Sequence, residues 1–186
     1  SMILELIEQI CRKAAEEKLD FLVIGGHALA QHGYVRLTRD VDFLARESQR
    51  TAWHLLFKQL GYRIFAETPT FIQFSPGEPK NPAVDIMFVE DATWEKLRKE
   101  AVGKPAGGAK LLVPSPQHLV ALKLFAAASP NRRHDAQDWA DIAELVRLCR
   151  LDPSEPGFAG LVRRYGGEES LEKIRKLWQR IQDQAR

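Results

Sequence analysis

The stretch FLVIGGHALAQHGYVRLTRDVDFLA, residues 21–45, decides the fold that we expect. Its apolar beginning, 21–24, is typical of a short buried strand. A Gly-Gly step interrupts that strand, and the segment 27–33 has the pattern of a short helix that ends at a glycine. A second strand is predicted at 41–44. Strand, turn, helix and strand in this order favour an α/β domain.

Two carboxylates lie two residues apart on the second predicted strand, at Asp40 and Asp42. Side chains at this spacing point to the same face, with Cα atoms about 6.6 Å apart. Their mutual repulsion requires a metal ion or cationic side chains nearby. A third carboxylate, Asp85, stands near the start of the apolar strand 84–89 and is easiest to explain at the rim of the core. Three such oxygen donors suit Mg²⁺ or Mn²⁺ and indicate phosphoryl-type chemistry.

Candidate phosphate contacts surround these carboxylates. Gly25 and Gly26 open the short helix, so their backbone N–H groups and the positive end of the helix dipole suit a triphosphate. A strand-to-helix turn also needs flexible residues without any ligand. His27 either assists phosphate binding or packs and caps the short helix. Two arginines flank a threonine just before the acidic pair and add candidate phosphate contacts: Arg36, Thr38 and Arg39.

The remaining periodicity predicts a mixed sheet followed by helices. The first part of the chain is expected to contain helices at 3–18 and 47–60, strands at 62–66, 71–74 and 84–89, and a helix capped by Asp91. The segment 102–110, VGKPAGGAK, is rich in Gly and Pro and is predicted to be a loop leading to a strand at 111–113.

The last third of the chain is predicted to be helical. Ser115 followed by Pro116 is a typical helix start. Helices are expected at 116–127, 135–149, 154–165 and 168–184. We place a soft boundary near Pro114, between a core of residues 1–113 and a helical region of residues 114–186.

Composition excludes several classes of protein. With 45% hydrophobic and 28% charged residues, and without an apolar run of about 18 residues, the chain is expected to be soluble. It has no recognisable export signal, and Cys11 and Cys149 are interpreted as buried thiols of a cytoplasmic protein. A net charge of +2 is too small to indicate nucleic-acid binding. Phosphate-binding-loop, hydrolase-elbow and zinc motifs are absent from the sequence.

The run GGHALAQHG…RLTRDVDFL, with Asp85 following on a later strand, resembles the nucleotidyltransferase superfamily. Within it the chain is most similar to the branch of minimal nucleotidyltransferase domains and AbiEii-type toxins of type IV toxin–antitoxin systems. The resemblance implies a mixed sheet flanked by helices, with a helical C-terminal region. It also implies metal-dependent transfer of a nucleoside monophosphate from a nucleoside triphosphate (NTP) to a hydroxyl of RNA, such as a tRNA end, or of a protein. A cognate antitoxin would be a partner.

In the second half, the resemblance implies that Lys123 faces the nucleotide phosphates and that Asp138 supports the site. Taken alone, Lys123 either extends to solvent or addresses a site, and Asp138 with Asp141 forms either a site or a solvated acidic face. The chain departs from the family pattern at His27, where Ser is frequent, and at Gln137, where Lys is usual. A catalytically silent binding module and an enzyme that nucleotidylates a small molecule, such as an antibiotic, are therefore alternatives.

Overall fold

The computed structural model of the chain describes residues 2–106, 108–128 and 135–186. Helices and strands together make a mixed α/β fold. The chain divides into two compact units: Ser1–Gln31 with Val35–Pro114, and His32–Tyr34 with Ser115–Arg186. We describe each unit separately.

The first unit is built on a mixed sheet. Its strands are β1 (Phe21–Ile24), β2 (Val41–Arg46), β3 (Arg63–Thr68), β4 (Phe71–Ser75) and β5 (Val84–Val89). Across the sheet the order is β1-β2-β5-β4-β3. β2 and β5 are parallel, whereas the other neighbouring strands are antiparallel. The predicted fold class, a mixed sheet with helices, is confirmed.

Helices of the first unit are α1 (Met2–Glu16), α2 (Gly25–Gln31), α3 (Arg50–Gln59) and α4 (Asp91–Lys99). α1 buries one apolar stripe at helical spacing, as predicted: Leu6, Ile7, Ile10 and Ala14. α3 contributes Trp53 and Phe57, which are fully buried, and Phe57 stacks on Phe74 with ring centroids 4.6 Å apart. Aromatic stacking of this kind contributes to the packing of α3 against the sheet.

Two helix starts differ from the prediction. α2 begins at Gly25 and not at His27, so both glycines belong to the helix. Asp91 is the first residue of α4, and the N-cap position is Glu90. The Asp91 carboxylate is engaged elsewhere, because it accepts hydrogen bonds from Arg46 Nε at 3.1 Å and Ser48 Oγ at 2.9 Å. A tertiary contact has therefore replaced the local cap that the sequence suggested.

The prediction of a loop at 102–110 is wrong in part. Two strands, β6 (Val102–Ala106) and β7 (Ala109–Val113), form a separate antiparallel ribbon, with Val102 opposite Val113. Gly and Pro are depleted in strands, which is why the sequence favoured a loop. A two-stranded ribbon has only edge strands, where a residue without a backbone N–H, such as Pro105, is tolerated.

The second unit is helical in its described residues, with α5 (Pro116–Ala127), α6 (Asp135–Cys149) and α7 (Pro156–Gln184). The predicted start of α5 is confirmed, because Ser115 Oγ accepts a hydrogen bond from the backbone N–H of His118 at 3.2 Å. α7 joins the two helices predicted at 154–165 and 168–184, and the break lies at Gly167, with a φ of 75°. Among the described residues, no helix combines the length and apolar composition needed to cross a membrane.

The two cysteines are free thiols on helices, Cys11 on α1 and Cys149 on α6. Each is half-buried, which is less than the sequence predicted. Burial raises the pKa of both thiols above the ordinary value. Both therefore stay protonated and poorly nucleophilic near neutral pH.

Candidate active site

A row of residues crosses the sheet of the first unit at the position of the predicted carboxylates. Asp42 on β2 lies opposite Asp85 on the parallel strand β5. On the outer sides of this pair, Ile24 of β1 faces Asp42, and Gln73 of β4 faces Asp85. Neighbouring strands are about 4.8 Å apart, and residues in register point to the same face. Strand pairing thus brings two of the three predicted carboxylates side by side.

The third predicted carboxylate, Asp40, immediately precedes β2. It is exposed, whereas Asp42 and Asp85 are half-buried. Val41 and Phe43 alternate with the acidic residues and are completely buried. This alternation anchors the strand in the core and holds the carboxylates at its rim, as predicted from the sequence.

The environment of Asp85 is strongly unfavourable to its negative charge. Burial, and after it the charges of Asp42 and Asp40, raise the pKa of Asp85 to about 7. A hydrogen bond with Asp42 contributes in the same direction, and one with Gln73 opposes it. Two carboxylates can share a hydrogen bond only when one of them holds a proton. Asp85 is the group that titrates near neutral pH.

Both glycines of α2 have a steric role next to the carboxylates. A Cβ built on Gly25 would lie 2.2 Å from Asp42 Oδ2, and one built on Gly26 would lie 2.8 Å from Thr38 Cβ. Gly25 also has a φ of 66°, in the left-handed region that favours glycine. The Gly-Gly step lets the backbone of α2 approach the acidic strand closely.

His27 follows the glycines and contacts the same segment. Its ring forms a hydrogen bond with the backbone of Asp40. The Thr38 hydroxyl donates to the same region, to the Asp40 carbonyl oxygen at 3.3 Å. Burial, more than the nearby positive charge of Arg36, lowers the pKa of His27 below its usual value. The imidazole is therefore neutral near pH 7.

The two predicted arginines occupy different environments. Arg36 is half-buried near His27, and its Nη1 donates to the carbonyl oxygen of Leu37 at 3.4 Å. Arg39 is exposed. Val35 and Leu37, the apolar residues on either side of Arg36, are 80% and 83% exposed. The segment before the acidic strand thus presents both charge and apolar surface to solvent.

The carboxylates are oxygen donors of the kind that a divalent cation takes. Across residues 2–106, 108–128 and 135–186, no group of three or more His, Cys, Asp or Glu side chains is placed so that it could hold a metal ion. The donor chemistry nevertheless fits, because magnesium prefers carboxylate oxygens and is commonly held by one or two of them.

The second unit holds a separate charged cluster on α5 and α6. Lys123 Nζ lies 2.8 Å from Asp141 Oδ2 and 3.4 Å from Asp138 Oδ1. Asp138 and Asp141 are only 1% and 0% exposed, so the alternative of a solvated acidic face is wrong. Lys123, 13% exposed, does not extend to solvent either. Gln137, the residue that departs from the family pattern, donates from Nε2 to Asp141 Oδ1 at 2.9 Å.

One neighbour of the acidic pair, Gln73, was not predicted. Gln73 hydrogen-bonds Asp85, and the available signal was a single amide in the apolar strand FIQFS, on the face opposite to the buried Ile72 and Phe74. Asp141 is the nearer carboxylate to Lys123, although the sequence gave that role of support to Asp138. Spacing places both acids on one face of α6 but does not rank them.

Comparisons with known proteins agree with the fold. No protein-family model matches the chain, and no curated protein is similar to it at a significant level. Among solved structures, the chain is similar to ANT(2")-Ia in complex with adenylyl-2"-tobramycin, with a TM-score of 0.64 and 16% identity over 89% of this chain and 99% of that chain.

Two further structures are similar over most of their length. An antigenic nucleotidyltransferase-like protein from Paracoccidioides brasiliensis has a TM-score of 0.54 and 16% identity, covering 91% of each chain. The lincosamide antibiotic adenylyltransferase LnuA, bound to lincomycin, has a TM-score of 0.53 and 13% identity over 75% of this chain and 95% of that chain. Identity at this level supports conclusions on fold and not on substrate. The chain has a nucleotidyltransferase-like fold.

Proposed function

We propose that this protein transfers a nucleoside monophosphate from an NTP to a hydroxyl group, with pyrophosphate as the leaving group. One observation carries the proposal: Asp42 and Asp85 are paired in register on parallel strands, next to Asp40 and on a nucleotidyltransferase-like fold. Adjacent, partly buried carboxylates repel one another and are costly to keep without a function.

Asp40 and Asp42 would hold Mg²⁺ or Mn²⁺, with Asp85 completing the donor set. A bound ion of this kind would supply charge neutralisation on the triphosphate. In the transfer, a bond forms between the acceptor oxygen and the α-phosphorus, and the bond from the α-phosphorus to the pyrophosphate oxygen breaks. Asp85, which lies beside Asp42 on the parallel strand, would take the proton of the acceptor hydroxyl.

Phosphate contacts would come from the backbone at Gly25 and Gly26 and from the segment that precedes the acidic strand, with Arg36, Thr38 and Arg39. In the helical region, the family resemblance implies that Lys123 faces the nucleotide phosphates and that Asp138 supports the site. The division into a core of residues 1–113 and a helical region of residues 114–186 is part of the same proposal, as is a cytoplasmic location.

The acceptor hydroxyl defines three versions of this function. The resemblance to AbiEii-type toxins favours RNA, such as a tRNA end, or a protein, with a cognate antitoxin as partner. A small hydroxylated molecule is the third candidate, because the similar structures include ANT(2")-Ia with adenylyl-2"-tobramycin and LnuA with lincomycin. The mild net charge of +2 does not select among them.

The test is transfer of label from each of the four α-³²P-labelled NTPs in the presence of Mg²⁺. Total RNA, a protein lysate, tobramycin and lincomycin are offered as separate acceptors. We expect one acceptor class to take label with wild type and none to take label with Asp42→Asn. Asp183→Asn is the matched control, because this exposed carboxylate on α7 contacts only Gln179 among the hydrogen bonds described.

A silent binding module is the alternative from another class. It predicts that MgNTP raises the melting temperature of the protein although no acceptor takes label. Label in any fraction that depends on Asp42 excludes this alternative.

A further inference from the structure

The two flanks of the acidic pair differ in what borders them. On the β1 side, α2 approaches so closely that a Cβ built on Gly25 would lie 2.2 Å from Asp42 Oδ2. On the other side, Asp85 is followed across the sheet by Gln73 of β4 and then by Ala66 of β3. Gln73 and Ala66 are both half-buried. Backbone therefore closes the site at Asp42, whereas partly exposed side chains border it beyond Asp85.

Alternation along β4 extends this border to a cationic side chain. Gln73 and Ser75 alternate with buried residues, so they lie on the face of the sheet that carries the acidic pair. Arg63 of β3 lies opposite Ser75 in the antiparallel register and shares that face. We call these three residues, Gln73, Ser75 and Arg63, the polar flank. The spacing of strands and residues puts the Cα atoms of Arg63 and Asp85 about 12 Å apart, and an arginine side chain can cover a large part of that distance.

The positive charge of Arg63 is not neutralised within the chain as described. Arg63 is exposed, and among the described residues it takes part in no ion pair. The acidic residues that follow it in the sequence are engaged elsewhere, since Glu67 pairs with Arg50 at 2.9 Å and Glu78 pairs with Lys80 at 3.1 Å. The polar flank therefore presents one cation that is suited to an anionic group of a ligand.

The backbone before Arg63 is held by the loop between β4 and β5. Tyr62, which is 4% exposed, donates its hydroxyl to the carbonyl oxygen of Pro82 at 2.8 Å. A Cβ built on Gly77 would lie 2.6 Å from the carbonyl oxygen of Gly61, so the loop and the start of β3 are in close contact. The outer end of the polar flank is thus preorganised, which lowers the cost of binding a ligand there.

We propose that the polar flank binds the acceptor, with Gln73 next to the reacting hydroxyl and Arg63 paired with a phosphate of the acceptor. This inference rests on the proposed function and names the chemical class of its acceptor. A guanidinium group binds phosphate oxygens in a bidentate manner, whereas it repels a polycation such as tobramycin. The phosphate belongs either to a polynucleotide or to a small sugar phosphate. The triphosphate stays on the opposite side of the acidic pair, at Asp42 and α2.

Three acceptors identify the source of the phosphate: an RNA oligonucleotide with a free 3′ hydroxyl, ribose 5-phosphate and tobramycin. Each is offered to wild type with Mg²⁺ and each of the four α-³²P-labelled NTPs. Label in the oligonucleotide assigns the phosphate to a polynucleotide, and label in ribose 5-phosphate assigns it to a small sugar phosphate. Transfer to tobramycin or to a protein lysate, without transfer to either phosphate-bearing acceptor, would overturn the proposal.

Substitution of Arg63 tests the phosphate contact itself. Arg63→Ala should raise the KM of the acceptor about 10-fold, as expected for the loss of a charged hydrogen bond, and should leave the affinity for the NTP unchanged. With an RNA acceptor, the slope of log KM against log salt concentration should become shallower by about 0.7, the value for one phosphate contact on a single strand. Arg98→Ala on α4 is the matched control, because Arg98 is also an exposed arginine of the first unit.

Gln73→Ala tests the inner end of the polar flank. We expect a higher KM for the acceptor at unchanged affinity for the NTP with Mg²⁺, because Gln73 lies on the side of Asp85 that faces away from Asp42. An equal loss of NTP affinity would show that Gln73 acts through the carboxylates and does not contact the acceptor.

Direct binding keeps this inference separate from the proposed function. With Mg²⁺ and without NTP, the fluorescently labelled oligonucleotide is followed by anisotropy and ribose 5-phosphate by calorimetry, for wild type, Arg63→Glu and Arg98→Glu. The proposal predicts that wild type binds at least one of them, and that Arg63→Glu weakens this binding at least 10-fold while Arg98→Glu does not. Thermal melts check that both variants are folded, and Arg63→Ala replaces Arg63→Glu if the latter is not.

Two results would overturn the proposal: equal binding by wild type and the Arg63 variant, or no binding of either probe by wild type. If wild type binds a probe through Arg63 but transfers no label to any acceptor, the proposed function fails and the polar flank remains a binding surface. If wild type transfers label and the Arg63 variant has an unchanged acceptor KM, the proposed function stands and this inference fails.

Discussion

Asp42 on β2 and Asp85 on β5 are direct neighbours on parallel strands and share a hydrogen bond. Parallel pairing in register leaves the two side chains on the same face, where they cannot avoid each other. When both carboxylates are ionised, they repel each other at the rim of the sheet. Removal of that repulsion, by a proton, a cation or a substitution, has measurable consequences.

Replacement of Asp42 by Asn removes one charge of the pair with little change in shape. In EDTA at a pH above about 7, we expect the melting temperature of Asp42→Asn to equal or exceed that of wild type, because repulsion is relieved. The stabilisation by Mg²⁺ plus NTP should be lost, since a ligand stabilises only the state that binds it. Thermal melts of both proteins, in EDTA and in Mg²⁺ with ATP, test both expectations. A variant that melts lower in EDTA but keeps the metal-dependent increase in melting temperature would mean that Asp42 is structural.

The raised pKa of Asp85 predicts a pH dependence of stability without metal. Its folded pKa of about 7 exceeds the ordinary value of 3.8, so the folded state binds the proton more tightly than the unfolded state. The contribution of Asp85 to the free energy of unfolding is complete below about pH 4 and is lost as the pH rises to about 7. We expect the free energy of unfolding in EDTA to fall across this window in wild type. Asp85→Asn should remove that part of the slope, and equal slopes would refute the assignment.

Gly25 tests the close approach between α2 and the acidic strand. Gly25→Ala would place a methyl group 2.2 Å from Asp42 Oδ2, at a φ of 66°. The left-handed conformation alone costs about 1–2 kcal/mol, so urea unfolding should show at least this loss. Gly157→Ala on α7 is the matched control, because its added Cβ meets nothing within 4 Å. That variant should be neutral or stabilised by up to about 1 kcal/mol.

Lys123 tests the charged cluster of the second unit. Lys123→Ala removes the cation beside two carboxylates that are almost completely buried, Asp138 and Asp141. We expect a loss of about 3–5 kcal/mol in the free energy of unfolding. Lys176→Ala on the exposed face of α7 should change stability by less than about 0.5 kcal/mol. Similar unfolding curves for the two variants would show that the cluster contributes little to stability.

The strands of the sheet and the positions of Asp40, Asp42 and Asp85 on them were largely predictable. Strand 84–89 has the predicted bounds, and the alternation of Asp40, Val41, Asp42 and Phe43 gave the correct face for each residue. Periodicity carries this information because burial on one face of a strand dictates every second residue. The same reasoning could not provide the partner of each strand, and so did not place Gln73 beside Asp85.

Tertiary contacts account for the errors. Asp91 was predicted to cap a helix. Its carboxylate instead accepts hydrogen bonds from Arg46 and Ser48, which are distant in sequence. The Gly- and Pro-containing segment 102–110 is largely strand because Val102 pairs with Val113. In both cases the local propensity was read correctly, but a long-range partner supplied the larger contribution.

The central claim is nucleotidyl transfer that depends on Asp42 and Asp85. The most direct measurement compares label at two positions of one nucleotide. Wild type is incubated with Mg²⁺, the acceptor fraction that takes label, and ATP carrying ³²P on either the α- or the γ-phosphate. The account predicts that the acceptor gains α label only, that γ label appears in pyrophosphate, and that Asp42→Asn and Asp85→Asn abolish both while Asp183→Asn does not. Transfer of γ label to the acceptor, or undiminished α transfer by Asp42→Asn, would contradict it.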